Sequence, residues 1–255
     1  MIEIPLKYQA TFFGDMSDIT PSAERIRTLL DMFQDIGLLP SLIQEFPPLQ
    51  ARLKLMTPDN EWEIRFHSDR IAIDKRRTRP RGENLGTPED FAARVTSHLQ
   101  RILTKFPKRA HRLSLVTTGL GREMADEKMR SIYDRFFKPL DFYSAHPLSE
   151  WSSRSVARVQ HTLADVDEYF NVITTVSRVR AEIKEVIADA KEPTAETKDL
   201  GVVTSPNRLR VEFDINTFQG NVEQRFGQAA IVEFYQNALL LRAEVLSQVE
   251  NRINE

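Results

Sequence analysis

From Leu6 to Phe12 the side chains alternate, with Leu6, Tyr8, Ala10 and Phe12 on one side and Lys7, Gln9 and Thr11 on the other. That period of two marks a half-buried strand. Thr20-Pro21 then offers an N-cap and a proline at the first helical position. Ile26, Leu29, Leu30, Phe33 and Ile36 follow at three- and four-residue steps along one helix face, until Gly37 and Pro40 stop the helix. The clearest alternation comes next. Ala51, Leu53 and Leu55 interleave with Arg52, Lys54 and Met56; Trp62, Ile64 and Phe66 interleave with Glu63 and Arg65; Ile71 and Ile73 close the series. Turns at Pro58-Asp59-Asn60 and His67-Ser68-Asp69 separate the runs, so they predict a three-stranded meander with one apolar face.

Beyond a polar loop from Asp74 to Gly82, Thr87-Pro88-Glu89-Asp90 opens a helix whose buried face is Phe91, Val95, Leu99, Ile102, Leu103 and Phe106. A strand over about Arg112–Thr118 and a helix carrying Met129, Ile132, Tyr133, Phe136 and Phe137 come after it. Residues Arg154–Leu163 and Tyr169–Ile183 flank the acidic stretch Ala164-Asp165-Val166-Asp167-Glu168 and predict a hairpin, and Lys184–Asn207 reads as a charged loop. Leu209, Val211, Phe213 and Ile215 give a last strand, and a closing helix is expected over about Glu223–Arg252. Strands joined mainly by tight turns point to α+β architecture: antiparallel sheet packed against long amphipathic helices, one unit over residues 1–255 with sub-halves 1–122 and 123–255.

Composition narrows the chemistry. Of 255 residues, 41% are hydrophobic and 28% charged, which is globular rather than disordered. The absence of cysteine removes disulfides, thiolate metal sites and a cysteine nucleophile. The early acid in Met-Ile-Glu-Ile-Pro-Leu-Lys, and the lack of any run near 20 apolar residues, lead us to expect a cytoplasmic protein with no membrane contact. Charge is uneven: Arg65–Arg112 holds 13 Lys/Arg and 5 Asp/Glu, although the whole chain is at −2. The anion-binding candidates are Lys75, Arg76, Arg77, Arg79 and Arg81 in the loop, with Lys105, Lys108 and Arg109 further on. They would contact a nucleic-acid backbone without reading bases.

Enzyme signatures are weak by comparison. Thr117-Thr118-Gly119-Leu120-Gly121-Arg122 is read as a glycine-bearing turn between a strand and a helix, but it lacks the third glycine of a dinucleotide fingerprint and the Gly-Lys-Ser/Thr of a P-loop. His67, His98, His111, His146 and His161 form no local zinc pair, and His98, near the exposed edge of its helix, and His161 read as satisfied structural histidines. Glu182-Ile183-Lys184 with Asp165 and Asp167 has the residue types of a metal-dependent phosphodiesterase at unhelpful separations. Arg154 with Arg158, and Arg178 with Arg180, each share a strand face; if the two faces coincide they make a patch suited to carboxylates or phosphates, while pairing with Glu182, Glu212 and Asp214 is the expected role. No cofactor and no metal are called for, and no catalytic residue can be named.

Four segments carry a resemblance: Ile36-Gly37-Leu38-Leu39-Pro40-Ser41-Leu42-Ile43-Gln44-Glu45, Glu61-Trp62-Glu63-Ile64 through Arg70-Ile71-Ala72-Ile73, Arg112-Leu113-Ser114-Leu115, and Phe213-Asp214-Ile215-Asn216-Thr217. In that order the chain resembles a sporadically distributed family of bacterial and archaeal proteins of about this length that has no assigned activity. The resemblance implies a mobile gene, of the kind found in phage-defence or toxin–antitoxin neighbourhoods, and carries over no catalytic residue. Trp62 is expected in the core, and Asp214 with Asn216 in a turn or a hydrogen-bonding device at a strand end. The leading expectation is a non-enzymatic interaction protein acting with a protein partner or as a homo-oligomer. Nucleic-acid binding through the basic loop and a metal-dependent phosphodiesterase with unrecognised ligands are the alternatives.

Overall fold

The computed structural model describes residues 2–46, 49–79, 81–137, 140–146, 148–181 and 206–255. Among the described residues, nine strands make one sheet in which every pairing is antiparallel. β1 (Ile2–Phe13) leads through α1 (Ala23–Phe33) to a meander of β2 (Leu39–Glu45), β3 (Gln50–Met56), β4 (Trp62–Phe66) and β5 (Arg70–Arg76), and then to α2 (Pro88–Lys105). β6 (Arg112–Met124) leads through α3 (Asp126–Phe136) and the short α4 (Asp141–Ala145) to β7 (Trp151–Leu163), β8 (Val166–Arg180) and β9 (Asn207–Thr217), and then to α5 (Gln228–Asn254). The spatial order is β2-β3-β4-β5-β1-β6-β9-β8-β7. Each of the two central strands is thus followed by a helix, by outer strands that step back toward the middle, and by a helix of 18 or 27 residues.

The pleat divides the side chains between two faces. Tyr8, Ala10 and Phe12 of β1, Ile71 and Ile73 of β5, and Leu113 and Leu115 of β6 turn inward and are buried with Phe91, Val95, Leu99 and Ile102 of α2 and Ile231, Phe234 and Tyr235 of α5. A second cluster joins Met129 and Ile132 of α3 to Trp151, Val176, Val211 and the far end of α5. Trp62 is core, as expected, stacked on Phe91 with ring centroids 5.6 Å apart. No helix is long and apolar enough to cross a membrane among the described residues.

Several boundaries differ from the sequence expectation. Residues 39–45 form a strand, β2, at the sheet edge, where a proline costs no ladder bond if its missing N–H faces outward. Leu39 and Leu42 on its opposite faces are both exposed, so no one-sided alternation announces it. The cap of α1 is Ser22, whose hydroxyl accepts from the Arg25 amide, rather than Thr20. Thr87 and Asp90 do form a reciprocal capping box on α2. The hairpin turn between β7 and β8 is only Ala164-Asp165, both with positive φ, so Val166–Glu168 belong to the strand. The candidate glycine turn is not a turn. Residues 117–122 lie within β6, and a Cβ on Gly119 would come within 2.4 Å of the Ile2 side chain and 3.2 Å of the Ile4 carbonyl. Gly119 lets the two central strands approach beside Pro5, where the register shifts. The Lys184–Asn207 loop lies largely outside the described residues.

Phe91 packs between Trp62 and Tyr8, with the Tyr8 ring centroid 5.5 Å away. Phe91→Ala should therefore cost about 3–5 kcal/mol of stability. Urea denaturation followed by tryptophan fluorescence checks this; a lowered midpoint with an unchanged slope is expected.

Candidate functional site

One side of the sheet carries the helices, and the other is polar. Register places one row of this polar face across all nine strands: Ser41, Lys54, Arg65, Ala72, Thr11, Ser114, Asn216, Asn171 and Arg158. Over β6–β9–β8–β7 the side chains bond to one another. Arg158 Nε donates to Asn171 Oδ1 (3.3 Å), Asn171 Nδ2 to Asn216 Oδ1 (3.2 Å), and Asn216 Nδ2 to Asp214 Oδ1 (2.9 Å), which Ser114 Oγ also approaches at 3.4 Å. Asp214 and Asn216 are thus the expected hydrogen-bonding device, extended over four strands.

Three other carboxylates of the face are held by cations, while Asp167 accepts from the Thr162 hydroxyl. Asp74 is fully buried and binds Lys7 (2.9 Å) and Arg65; Glu63 binds Arg65 (3.1 Å) and Arg76 (3.3 Å); Glu212 binds Arg210 (2.6 Å). Arg112, Arg154 and Arg158 are different, having no carboxylate in salt-bridge contact among the described residues. The Arg112 guanidinium lies 4.9 Å from the Phe13 ring centroid and that of Arg158 4.6 Å from Phe218. Partial burial lowers the Arg112 pKa, opposed by the field of Asp214, and its Nε has no partner. A guanidinium resting on a ring keeps its edge N–H groups available to an oxyanion. Tyr169, 47% exposed, stands on the same face opposite Gln160.

The candidate cations fall into two groups. Arg77 donates its amide to the Leu6 carbonyl and His111 donates its own to the Phe13 carbonyl, on either side of the stretch of β1 that pairs with β5. Seven residues of strand separate them, ~23 Å. Lys75 is no loop residue: it ends up buried in β5 beneath the Trp62 ring, bound to Glu61 (3.1 Å) and to the Leu85 carbonyl (2.9 Å). Arg76 pairs with Glu63, while Arg79 and Arg81 are exposed. At the far end Lys105 is exposed, Lys108 binds Asp18 (2.7 Å) and Arg109 donates to the Arg225 carbonyl (2.5 Å), next to Arg112. The two arginine pairs of β7 and β8 do not share a face. Pairing of Arg178 with Trp151 turns it toward the helices, where it binds Asp126 (2.5 Å), Asn207 and the Leu148 carbonyl.

Arg225 and Arg242 are among the buried arginines that sequence reasoning missed. Arg225 is bound to Glu168 and caps the carbonyls of His111, Asn221 and Glu223. Arg242 of α5 donates from Nε to Thr117 Oγ1 (2.9 Å) against the Phe213 ring. Their partners lie 57 and 125 residues away, and no local spacing points to them. A cleft of about 380 Å³ opens between α3 and the ends of β7 and β8, lined by Asp126, Tyr133, Tyr143, His146 and Arg180 among others. Among the described residues no three His, Asp or Glu side chains gather to hold a metal, and Glu182 with Lys184 lie outside those residues.

Neither histidine singled out from the sequence is satisfied. His161 stacks on Phe170 (4.6 Å) with its Nε2 unpartnered. His98 is buried, not at an exposed edge; it is edge-on to Trp62 and Phe33, and its Nδ1 has no partner. Burial, followed by the charges of Arg101 and Arg94, pushes its pKa down to about 4. The unfolded chain then binds a proton between pH ~6.5 and ~4 that the native state refuses, so stability falls as pH drops through that window. His98→Gln should flatten this loss by up to roughly 3 kcal/mol. Chemical denaturation at pH 4.5 and 7.5 tests it; parallel curves for the two proteins would refute a neutral buried imidazole. In comparison with known proteins, no family model and no curated protein matches this chain.

Proposed function

We propose that this chain is a non-enzymatic interaction protein that works by binding, and that the polar face of its sheet takes nucleic acid along the backbone. One observation carries the reading. Arg112 and Arg158, two cations without carboxylate partners among the described residues, rest on Phe13 and Phe218 on the polar face, with Tyr169 and Arg154 close by in the register. Guanidinium groups held on rings present N–H edges to phosphate oxygens, and exposed aromatic rings stack on bases without sequence preference. Arg79 and Arg81 at the other end of β1 give an extended strand a second set of charges to reach. Asp74, Glu63 and Glu212 are neutralised by Lys7, Arg65, Arg76 and Arg210, which leaves Asp214 as the carboxylate of the network without a bound cation and lowers the repulsion a phosphate chain would meet. The family resemblance supplies a setting for such a protein, defence against mobile elements.

Fluorescence anisotropy with labelled 20-nucleotide single strands of DNA and RNA, and with a duplex, tests the reading across a salt series. Binding is expected at 50 mM salt and should weaken steeply as salt rises. Arg112→Ala and Arg158→Ala should each lower the salt slope by about one and weaken binding uniformly across sequences. Arg79→Ala with Arg81→Ala is the suitable loop variant, because replacing Lys75 would damage the core. No retention of any probe at low salt would end the proposal.

A further inference from the structure

The sheet has two edges, and they are built differently. β2 is seven residues long and contains Pro40. β7 is thirteen residues long, holds neither proline, lysine nor glycine, and pairs with β8 residue for residue without a register shift. Exposed strands are ordinarily protected by shortness, proline, lysine or a bulge, because their outer N–H and C=O groups template another strand. β7 has none of these and carries only the two charges of Arg154 and Arg158, and among the described residues β8 is its only neighbour in the sheet.

We propose that β7 is the seam of a twofold homodimer, in which β7 of a second copy adds antiparallel to it and continues the sheet. The residues select the register. Antiparallel neighbours share a face, so only registers that keep the pleat in phase are open. Centring the twofold on Val156 sets Arg154 against Arg158 of the other copy, and centring it on Arg154 or Arg158 sets an arginine against itself. Like charges directly opposed are destabilising. Centring on Ala157, the midpoint of the strand, overlaps all thirteen residues. Arg154 then faces Gln160, Ser155 faces Val159, and Arg158 faces Val156. The last contact covers a valine that is 53% exposed in the single chain. Two copies of the chain are the occupant, since the same strand supplies both the open backbone and the complementary side chains.

This inference is independent of the nucleic-acid reading, and a monomer that binds oligonucleotides would overturn it alone. The chain contains no cysteine, so introduced thiols report on the seam without background. Light scattering of the purified protein at 50 μM is expected to give twice the 29.4 kDa chain mass. Under mild oxidation Ala157→Cys should link quantitatively to itself, since either kind of antiparallel pair brings Cα atoms within disulfide range. Ser155→Cys alone should not, because its own copy lies ~13 Å along the strand, whereas a mixture of Ser155→Cys and Val159→Cys should form the hetero-linked pair. Val156→Pro, at a position whose amide points away from β8, should give a folded monomer, with cooperative melting as the control. A wild-type monomer, equal cross-linking by Ala157→Cys and Ser155→Cys, or a folded dimer surviving Val156→Pro would each overturn the assignment.

Discussion

The antiparallel contact between β1 and β6 makes one protein of two similar series of elements. Each strand begins its own series, and their pairing turns two smaller sheets into a single nine-stranded one. Helices α2 and α5 depend on it, because they bury residues in one continuous cluster with the inner faces of these two strands. The contact is demanding at one end. Pro5 withholds an amide from a central ladder, the register slips there, and Gly119 must stay without a side chain so that the backbone of β1 can lie against it. The glycine that looks like part of a ligand loop is a packing device.

On the polar face the same pairing brings together side chains from distant segments. Ser114 and Asp214 meet because β6 and β9 are neighbours, and Asn171 and Arg158 extend the chain of bonds because β8 and β7 follow. Buried or half-buried polar atoms of this kind hold strand register, since a slip would leave them unpaired. The charged groups are sorted as well: several are bound in ion pairs, while Arg112 and Arg158 rest on rings, have no carboxylate in salt-bridge contact among the described residues, and bond to the side-chain amides of Gln219 and Asn171. This difference sets the candidate cations apart more sharply than their number does. Lys75, the first of the basic run in the sequence, is the least accessible of them.

The antiparallel α+β character was legible wherever one face of a strand is greasy and the other wet, as in β1, β3, β4, β5 and β9. Helix starts were legible where a cap box exists, as at Thr87. What failed shares a cause. β2 has exposed apolar groups on both sides, the Ala164-Asp165 turn uses left-handed backbone without glycine or asparagine, and residues 119–121 belong to a strand although they carry turn residues. In each case tertiary contact overrides local preference. The candidate site was legible only in fragments. Even spacing put Arg154 and Arg158 on one face, but only the strand order reveals that Arg178 turns the other way and that Phe13 and Phe218 lie under two arginines.

The distance along the chain between the two central strands has a consequence during synthesis. Some hundred residues separate Phe12 from Leu113, which face each other in the finished sheet. At ~5–20 residues per second a ribosome needs on the order of 5–20 seconds to bridge that gap. For that interval the first series can close β1 against β5, yet the opposite flank of β1 stands naked and adhesive. The nascent polypeptide therefore spends its early life as half a sheet, the stage at which a chaperone or an identical neighbour on the same message would find it most receptive.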